Sequence, residues 1–176
     1  GIFLSMATDS IVDNSRVLQG GSGVFVAAGA RNQLSGSLVE GNGNGVYIQN
    51  ETDMLITNNL ILENTVAGIR FLRSSGQVIS NELLQNWVGL LAAENEPLAV
   101  YGNSFLGTEC TALYLRDIKS GKISYNSFDE SGQTALELEN NICESIIVQN
   151  SFLGGREHVV DRTQATVGLE INTWGK

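Results

Sequence analysis

The chain has 176 residues, a length typical of one domain, and carries a formal net charge of −9. This acidic balance argues against nucleic acid and anionic membranes as partners, since proteins that bind them present basic patches. Apolar residues make up 42% and charged residues 16%, which excludes a disordered chain. No run of about 18 apolar residues exists that could form a transmembrane segment.

A short strand pattern recurs from the first residue onward. Each copy has a small residue followed by apolar, variable and apolar positions, the alternation of a half-buried strand. The copies begin at Gly1, Gly23, Gly45, Gly68, Gly89, Ala112 and Ala135, which are 21 to 23 residues apart. Because the first copy has no polar cap before it, we expect the chain to be part of a longer polypeptide. The remainder of that polypeptide is then expected to be a binding partner of this part.

Two further columns follow each strand start, and they predict a second and a third short strand in every repeat. The first column is apolar and comprises Val12, Leu34, Ile56, Val78, Val100, Ile123 and Ile147. The second column comprises Ser15, Ser37, Asn59, Asn81, Asn103, Asn126 and Asn150, each followed two residues later by a large apolar residue. Asn tolerates left-handed corners and its amide can bond to the next Asn, so this column predicts a ladder. Phe105, Phe128 and Phe152 predict an internal aromatic stack.

Three strands in a repeat of this length predict an all-β fold, a right-handed parallel β-helix of about seven coils over residues 1–153. One coil cannot bury its apolar side chains, whereas stacked coils enclose a continuous core. Residues 154–176 break the repeat and predict a loop and a closing strand, Val167–Ile171, within the same domain. A leucine-rich repeat has a similar period, but it needs a fixed leucine pattern that this chain lacks.

These features resemble the parallel β-helix repeats of the pectate lyase-like superfamily, and among them the NosD-like and carbohydrate-binding/sugar-hydrolase repeats. The resemblance is carried by the Gly-Ile-x-Leu strand starts and the Asn-Ser-Phe corners over residues 1–153. The ending Asn172-Thr173-Trp174-Gly175 is similar to the Asn-x-Trp ending of NosD-like repeats. The resemblance implies the fold, while the superfamily spans lyases, hydrolases, epimerases, adhesins and tailspikes.

The variable position of each first strand should point outward and forms a column. The column comprises Phe3, Phe25, Tyr47, Arg70, Leu91, Tyr114 and Glu137. Exposed columns are normally polar, so the aromatic members predict a stripe that binds a glycan, a cross-strand aromatic ladder that stabilises the sheet, or a strip covered by the missing part of the parent protein. The residues predicted to bind a glycan are Phe3, Phe25, Tyr47, Arg70, Arg73, Tyr114 and Glu137.

Charged residues gather on the same sheet towards its C-terminal coils. Neighbouring positions place Arg116 beside Glu139 and Arg73 beside Glu94, so each of these pairs can form an ion pair. Glu94 and Asp117 are adjacent like charges, which are tolerated when arginines screen them, when one carboxyl stays protonated or when a cation bridges them. The two carboxylates therefore form a candidate Ca²⁺ site.

Catalysis is the alternative use of this surface. The resemblance implies that a lyase of this superfamily would need a base and cationic groups at its site. Arg70, Tyr114 and Arg116 are the candidates for these roles. Paired carboxylates for hydrolysis would be Glu137 and Glu139. The hydrolase and epimerase signatures of the superfamily are missing. Isolated methionines and a single histidine do not predict a copper site.

The sequence thus predicts a carbohydrate-binding or glycan-presenting module of a larger extracellular or cell-envelope protein. One alternative is an enzyme acting on an acidic polysaccharide by β-elimination. The other is a structural spacer or protein-interaction module.

Overall fold

The protein, described here by a computed structural model over residues 1–142, 145–163, 169 and 171–175, consists of short parallel strands in three sheets. The first sheet contains β1 (Ile2–Ser5), β4 (Ser22–Ala27), β7 (Asn44–Gln49), β10 (Ala67–Leu72), β13 (Val88–Asn95), β16 (Thr111–Ile118), β19 (Thr134–Ile142) and β22 (Glu157–Thr163). The second contains β2 (Ile11–Asp13), β5 (Gln33–Ser35), β8 (Met54–Thr57), β11 (Gly76–Ile79), β14 (Leu98–Tyr101), β17 (Gly121–Ser124) and β20 (Ile146–Val148). The third contains β3 (Arg16–Leu18), β6 (Leu38–Glu40), β9 (Leu60–Leu62), β12 (Glu82–Leu84), β15 (Ser104–Leu106), β18 (Ser127–Asp129), β21 (Ser151–Leu153) and β23 (Thr173–Trp174).

Every coil contributes one strand to each sheet, and each strand pairs in parallel with its counterpart one coil away. The predicted right-handed parallel β-helix of about seven coils is confirmed. Strands β22 and β23 continue the first and third sheets past the seventh coil, by pairing with β19 and β21. The expected closing strand at 167–171 falls mostly outside the described residues, and the boundary at residue 153 stays a prediction. Within the described part of the chain, no helix is long and apolar enough to cross a membrane.

The core lies between the three sheets and is lined by the apolar columns seen in the sequence. From β4 to β19 of the first sheet, the positions on either side of the variable residue are completely buried, as with Val24 and Val26, or Ile69 and Phe71. Successive side chains of a strand point to opposite faces, so the variable residue between them must point outward. This alternation positions the candidate site on the outer face of the first sheet.

The predicted asparagine ladder is confirmed at the corner before the third sheet. Each Asn donates its backbone N–H to the side-chain oxygen of the Asn one coil further, as from Asn59 to Asn81 (3.0 Å) and from Asn81 to Asn103 (2.9 Å). The series continues through Asn126 and Asn150 to Asn172, which belongs to the last, partial coil. Ser37 joins the ladder by donating its N–H to Asn59 Oδ1 at 3.0 Å. The ladder satisfies backbone groups that a tight buried corner would otherwise leave unpaired.

The predicted internal aromatic stack is also confirmed and is longer than expected. The ring centroids of Phe105 and Phe128, and those of Phe128 and Phe152, lie 4.9 Å apart. Trp174 adds a fourth ring at 4.7 Å from Phe152, and His158 meets both rings edge-on. The coil spacing of a parallel β-helix matches the separation that offset stacking favours.

Candidate functional site

The outward column of the first sheet runs continuously along seven coils. Strand register aligns its members in the order Phe3, Phe25, Tyr47, Arg70, Leu91, Tyr114 and Glu137. Phe3 is 63% exposed, and the other members are partly exposed. The expectation that these residues face outward is therefore confirmed, while their use in binding stays a prediction.

The N-terminal half of this column is an aromatic stack. Ring centroids lie 5.2 Å apart between Phe3 and Phe25 and 5.0 Å apart between Phe25 and Tyr47. The Arg70 guanidinium carbon lies 4.9 Å from the centre of the Tyr47 ring, a cation–π contact. Both faces of Phe25 are consequently covered by neighbouring rings, which favours the ladder interpretation for that residue. A ligand on this half would meet ring edges and the Arg70 side chain.

The C-terminal half is polar and internally bonded. The Tyr114 hydroxyl donates a hydrogen bond to Glu139, and Glu137 forms an ion pair with Arg162. Thr111 Oγ1 also donates to Glu137 Oε2, at 3.3 Å. Burial and the hydrogen bond to Glu139 raise the pKa of Tyr114 to about 12. Tyr114 is therefore a protonated donor rather than a general base at neutral pH.

Tyr114 should ionise later than an ordinary tyrosine. Because its folded pKa is raised, this group favours the folded state fully below the unfolded value near 10, and the contribution is lost as the pH rises towards 12. Titration of phenolate absorbance in the folded protein should contain one late component that Tyr114→Phe removes. Tyr101→Phe, on the second sheet, is the matched control and should leave that component in place. A late component that survives Tyr114→Phe would contradict the assignment.

Arg70 and Arg116 of this sheet, and Arg73 directly after β10, lack a carboxylate partner among the described residues. The ion pairs found there join Arg31 to Asp9, Lys119 to Glu96 and Arg162 to Glu137. The register does place Arg116 beside Glu139, as expected, but Glu139 instead accepts the Tyr114 hydroxyl. The expected pair of Arg73 with Glu94 is likewise not formed. The Arg70 guanidinium instead lies over the Tyr47 ring.

The predicted calcium site lies at the C-terminal ends of the first-sheet strands, with Glu94 inside β13 and Asp117 inside β16. Arg73, Glu94, Asp117 and Asn140 occupy one left-handed position of successive coils, with φ values of 50°, 55°, 52° and 61°. Asn140 Nδ2 donates to Asp117 Oδ2 at 3.1 Å, and a cleft of about 370 Å³ lies over Glu94 and Asp117. In the described part of the chain, no three His, Cys, Asp or Glu side chains are grouped to hold a metal. Ca²⁺ at Glu94 and Asp117 therefore lacks support.

The sequence reasoning missed Trp87. This side chain is 47% exposed and lines a cleft of about 540 Å³ at the corner between the third and first sheets, in company with Glu63, Thr65, Gln85 and Glu109. The equivalent positions of neighbouring coils carry Thr65 and Glu109, so Trp87 stands out in the sequence as an aromatic residue at an otherwise polar position. Trp87 lies in the turn between β12 and β13, outside the strand columns that indicate which residues face outward.

Comparison with known proteins identifies the family. A family model described as "Periplasmic copper-binding protein (NosD)" matches residues 1–176. The chain belongs to the NosD family. A search of curated proteins found no match. Membership confirms the resemblance to NosD-like β-helix repeats, and the periplasmic character of the NosD family confirms the expected cell-envelope location.

The described residues of this NosD-family chain do not fit a copper ion. Copper prefers thiolate, thioether and imidazole ligands gathered around one point. Met54 is buried in the core with 1% exposure, whereas Met6 is 78% exposed at a turn of the first coil. His158 packs edge-on against Phe152 and Trp174, and Cys110 lies beside Thr111 in another turn. These donors face different environments and do not converge.

Proposed function

We propose that this NosD-family β-helix is a carbohydrate-binding module of a longer cell-envelope protein. It holds a linear acidic polysaccharide along the outer face of its first sheet. The observation that carries the proposal is that Arg70, Arg73 and Arg116, which have no carboxylate partner among the described residues, lie in or beside the outward column whose N-terminal half is aromatic.

The shape of the surface supports an extended ligand. The column is continuous because successive coils repeat the same strand in register, about 4.8 Å apart. Its half-buried rings and Leu91 offer apolar contact, and Tyr114, Arg116 and Glu137 offer hydrogen bonds further along. A polymer of repeating units can use such a repeating surface, whereas a compact ligand would use only one coil.

The charges favour uronate-containing polymers. Guanidinium groups bind carboxylates through directed, charge-assisted hydrogen bonds. Glu137 and Glu139, the acidic groups nearest to Tyr114, are occupied by Arg162 and by the Tyr114 hydroxyl. Their bonds reduce the repulsion that a uronate would otherwise meet on this face.

Binding rather than turnover is the role that the site chemistry supports. The raised pKa of Tyr114 keeps its hydroxyl protonated at neutral pH, which disfavours this residue as the base of a lyase. Arg70 and Arg116 would then act as ligand contacts and not as catalytic residues. Copper forms no part of the proposal, because the described donors do not converge on one point.

The test is retardation of the protein in native gels that contain alginate, polygalacturonate or chondroitin sulfate. Wild type should be retarded by at least one of these polymers, and Arg70→Gln/Arg116→Gln should bind about tenfold more weakly or worse, since each charge-assisted contact contributes about 1.5–3 kcal/mol. Added salt should weaken wild-type binding because exposed charges are screened.

Arg16→Gln/Arg156→Gln is the matched control, since both arginines are exposed and lie outside the first sheet. It removes the same charge and should leave retardation unchanged. Equal losses in the two double variants would show that net charge, not this face, drives retardation. Absence of retardation of folded wild type by every uronate polymer would overturn the proposal, and release of unsaturated products would replace binding with β-elimination.

A further inference from the structure

Trp87 differs from the stacked aromatic residues of the chain because it has no ring partner among the described residues. It is absent from the ring–ring contacts found among the described residues, although it is 47% exposed. Trp174 is equally exposed, but it stacks on Phe152 at 4.7 Å. An indole that is neither fully buried nor stacked leaves part of its ring face open to a ligand.

The backbone beneath Trp87 is held by a second buried asparagine ladder. Asn64 donates its N–H to Asn86 Oδ1 at 3.1 Å, and Asn86 Nδ2 donates to the Ile61 carbonyl at 2.9 Å. Trp87 itself donates its N–H to the Asn64 carbonyl at 3.0 Å, and its own carbonyl accepts from Cys110 N at 2.9 Å. The indole therefore projects from a rigid corner, which lowers the entropy lost on binding.

The surroundings of the indole are polar and anionic. Glu63, Gln85 and Glu109 line the same cleft, and all three are exposed. No lysine or arginine lines the cleft among the described residues. Carboxylate and amide groups accept hydrogen bonds from hydroxyls, while the two negative charges repel an anionic ligand.

We propose that the Trp87 cleft is a second carbohydrate site, in which an uncharged pyranose stacks on the indole and donates its hydroxyls to Glu63, Gln85 and Glu109. This inference rests on the proposed carbohydrate-binding function and adds to it a site and a class of sugar. Sugar rings have an apolar face of C–H groups and a rim of hydroxyls, which matches an open indole bordered by acceptors. The first-sheet face and this cleft thus select different sugars, acidic and uncharged.

The experiment uses Trp87 as its own reporter. The chain has two tryptophans, so Trp174→Phe leaves Trp87 as the only one and extends the internal stack with another phenyl ring. This variant is titrated with cellohexaose, mannohexaose and chitohexaose, and separately with oligogalacturonate, while indole emission is recorded. At least one neutral hexasaccharide should produce a saturable change, and oligogalacturonate should produce none at Trp87.

Calorimetric titration of the otherwise wild-type chain provides the second readout. Trp87→Ala should weaken binding of the neutral hexasaccharide by about tenfold or more, because a central aromatic contact dominates such sites. Trp87→Phe should retain part of the affinity. Tyr125→Ala is the matched control, since Tyr125 is 52% exposed at a different corner, and it should change nothing. Unchanged unfolding midpoints would show that these exposed positions leave the fold intact.

The outcomes separate this site from the first-sheet face. Retardation by a uronate polymer without binding of any neutral hexasaccharide would overturn the Trp87 site and leave the proposed function standing. Neutral binding that is lost in Trp87→Ala and kept in Arg70→Gln/Arg116→Gln would support the cleft even if no uronate binds. Neutral binding that survives Trp87→Ala, or equal binding of oligogalacturonate at Trp87, would overturn the inference. If neither a uronate polymer nor a neutral hexasaccharide binds, both proposals are overturned.

Discussion

Asn59→Ala should cost at least about 3 kcal/mol of unfolding free energy, because several buried hydrogen-bonding groups lose their partners at about 1–3 kcal/mol each. Asn59 Nδ2 donates to Leu34 O at 3.0 Å, to Thr57 O at 3.0 Å and to Asn81 Oδ1 at 2.9 Å. Its Oδ1 accepts the Ser37 N–H at 3.0 Å. Alanine fills part of the space but replaces none of these bonds. Urea unfolding monitored by circular dichroism measures the loss.

The adjacent Asn58 provides the control, since it is exposed and has a φ of 55°. Asn58→Gly keeps that left-handed conformation accessible and should change the midpoint little. Hydrogen exchange gives a local readout, because the Ser37 amide should exchange faster in Asn59→Ala and at the wild-type rate in Asn58→Gly. Equal unfolding midpoints for the two variants would contradict a stabilising role of the ladder.

Phe128→Ala should destabilise the protein by about 3–5 kcal/mol, the usual cost of removing a buried phenyl ring. Phe128 is completely buried and stacks between Phe105 and Phe152, with both ring centroids at 4.9 Å. The substitution leaves a cavity in the middle of the stack and removes two aromatic contacts. The change is measured as a shift of the urea midpoint at an unchanged slope.

Phe25→Ala is a matched control that separates burial from stacking. Phe25 also stacks on two rings, at 5.2 and 5.0 Å, but it lies half-buried on the outer face. Its loss should cost only about 1–2 kcal/mol, the sum of two cross-strand contacts. If both variants lose the same stability, stacking and not burial sets the cost, and the interpretation of Phe128 is wrong.

The fold was predictable because every coil of a parallel β-helix needs the same residue types at the same positions. The apolar alternation around Phe25 and Tyr47 recurs at each strand start, and the asparagine at position 59 recurs at 81 and 103. Register follows from this repetition, since a slip of one residue would place buried side chains in solvent. Predicting which residues face outward therefore needed only the period and the alternation.

The partners of the charged side chains were not predictable in the same way. Register places Arg116 next to Glu139, yet Glu139 accepts the Tyr114 hydroxyl. Long polar side chains have several rotamers of similar energy, and neighbours from more than one coil compete for each of them. The cleft at Trp87 was not predicted because it is formed by turns between the strands, and one exposed tryptophan in the sequence does not reveal that a cleft lies beside it.

By itself the sequence determined the architecture of this protein, namely the coil length, the inward columns, the asparagine ladder and the aromatic stack. These features depend on burial, because every repeat must bury the same positions. Residue types that recur at the same position of each repeat therefore indicate which positions are buried. Only the tertiary structure decided that the rings of Phe3 and Tyr47 cover the two faces of Phe25, that Arg70 lies over Tyr47, and that Trp87 lines a cleft without a ring partner. Such contacts join side chains about 22 residues apart in sequence, and their geometry is set by the stacking of coils.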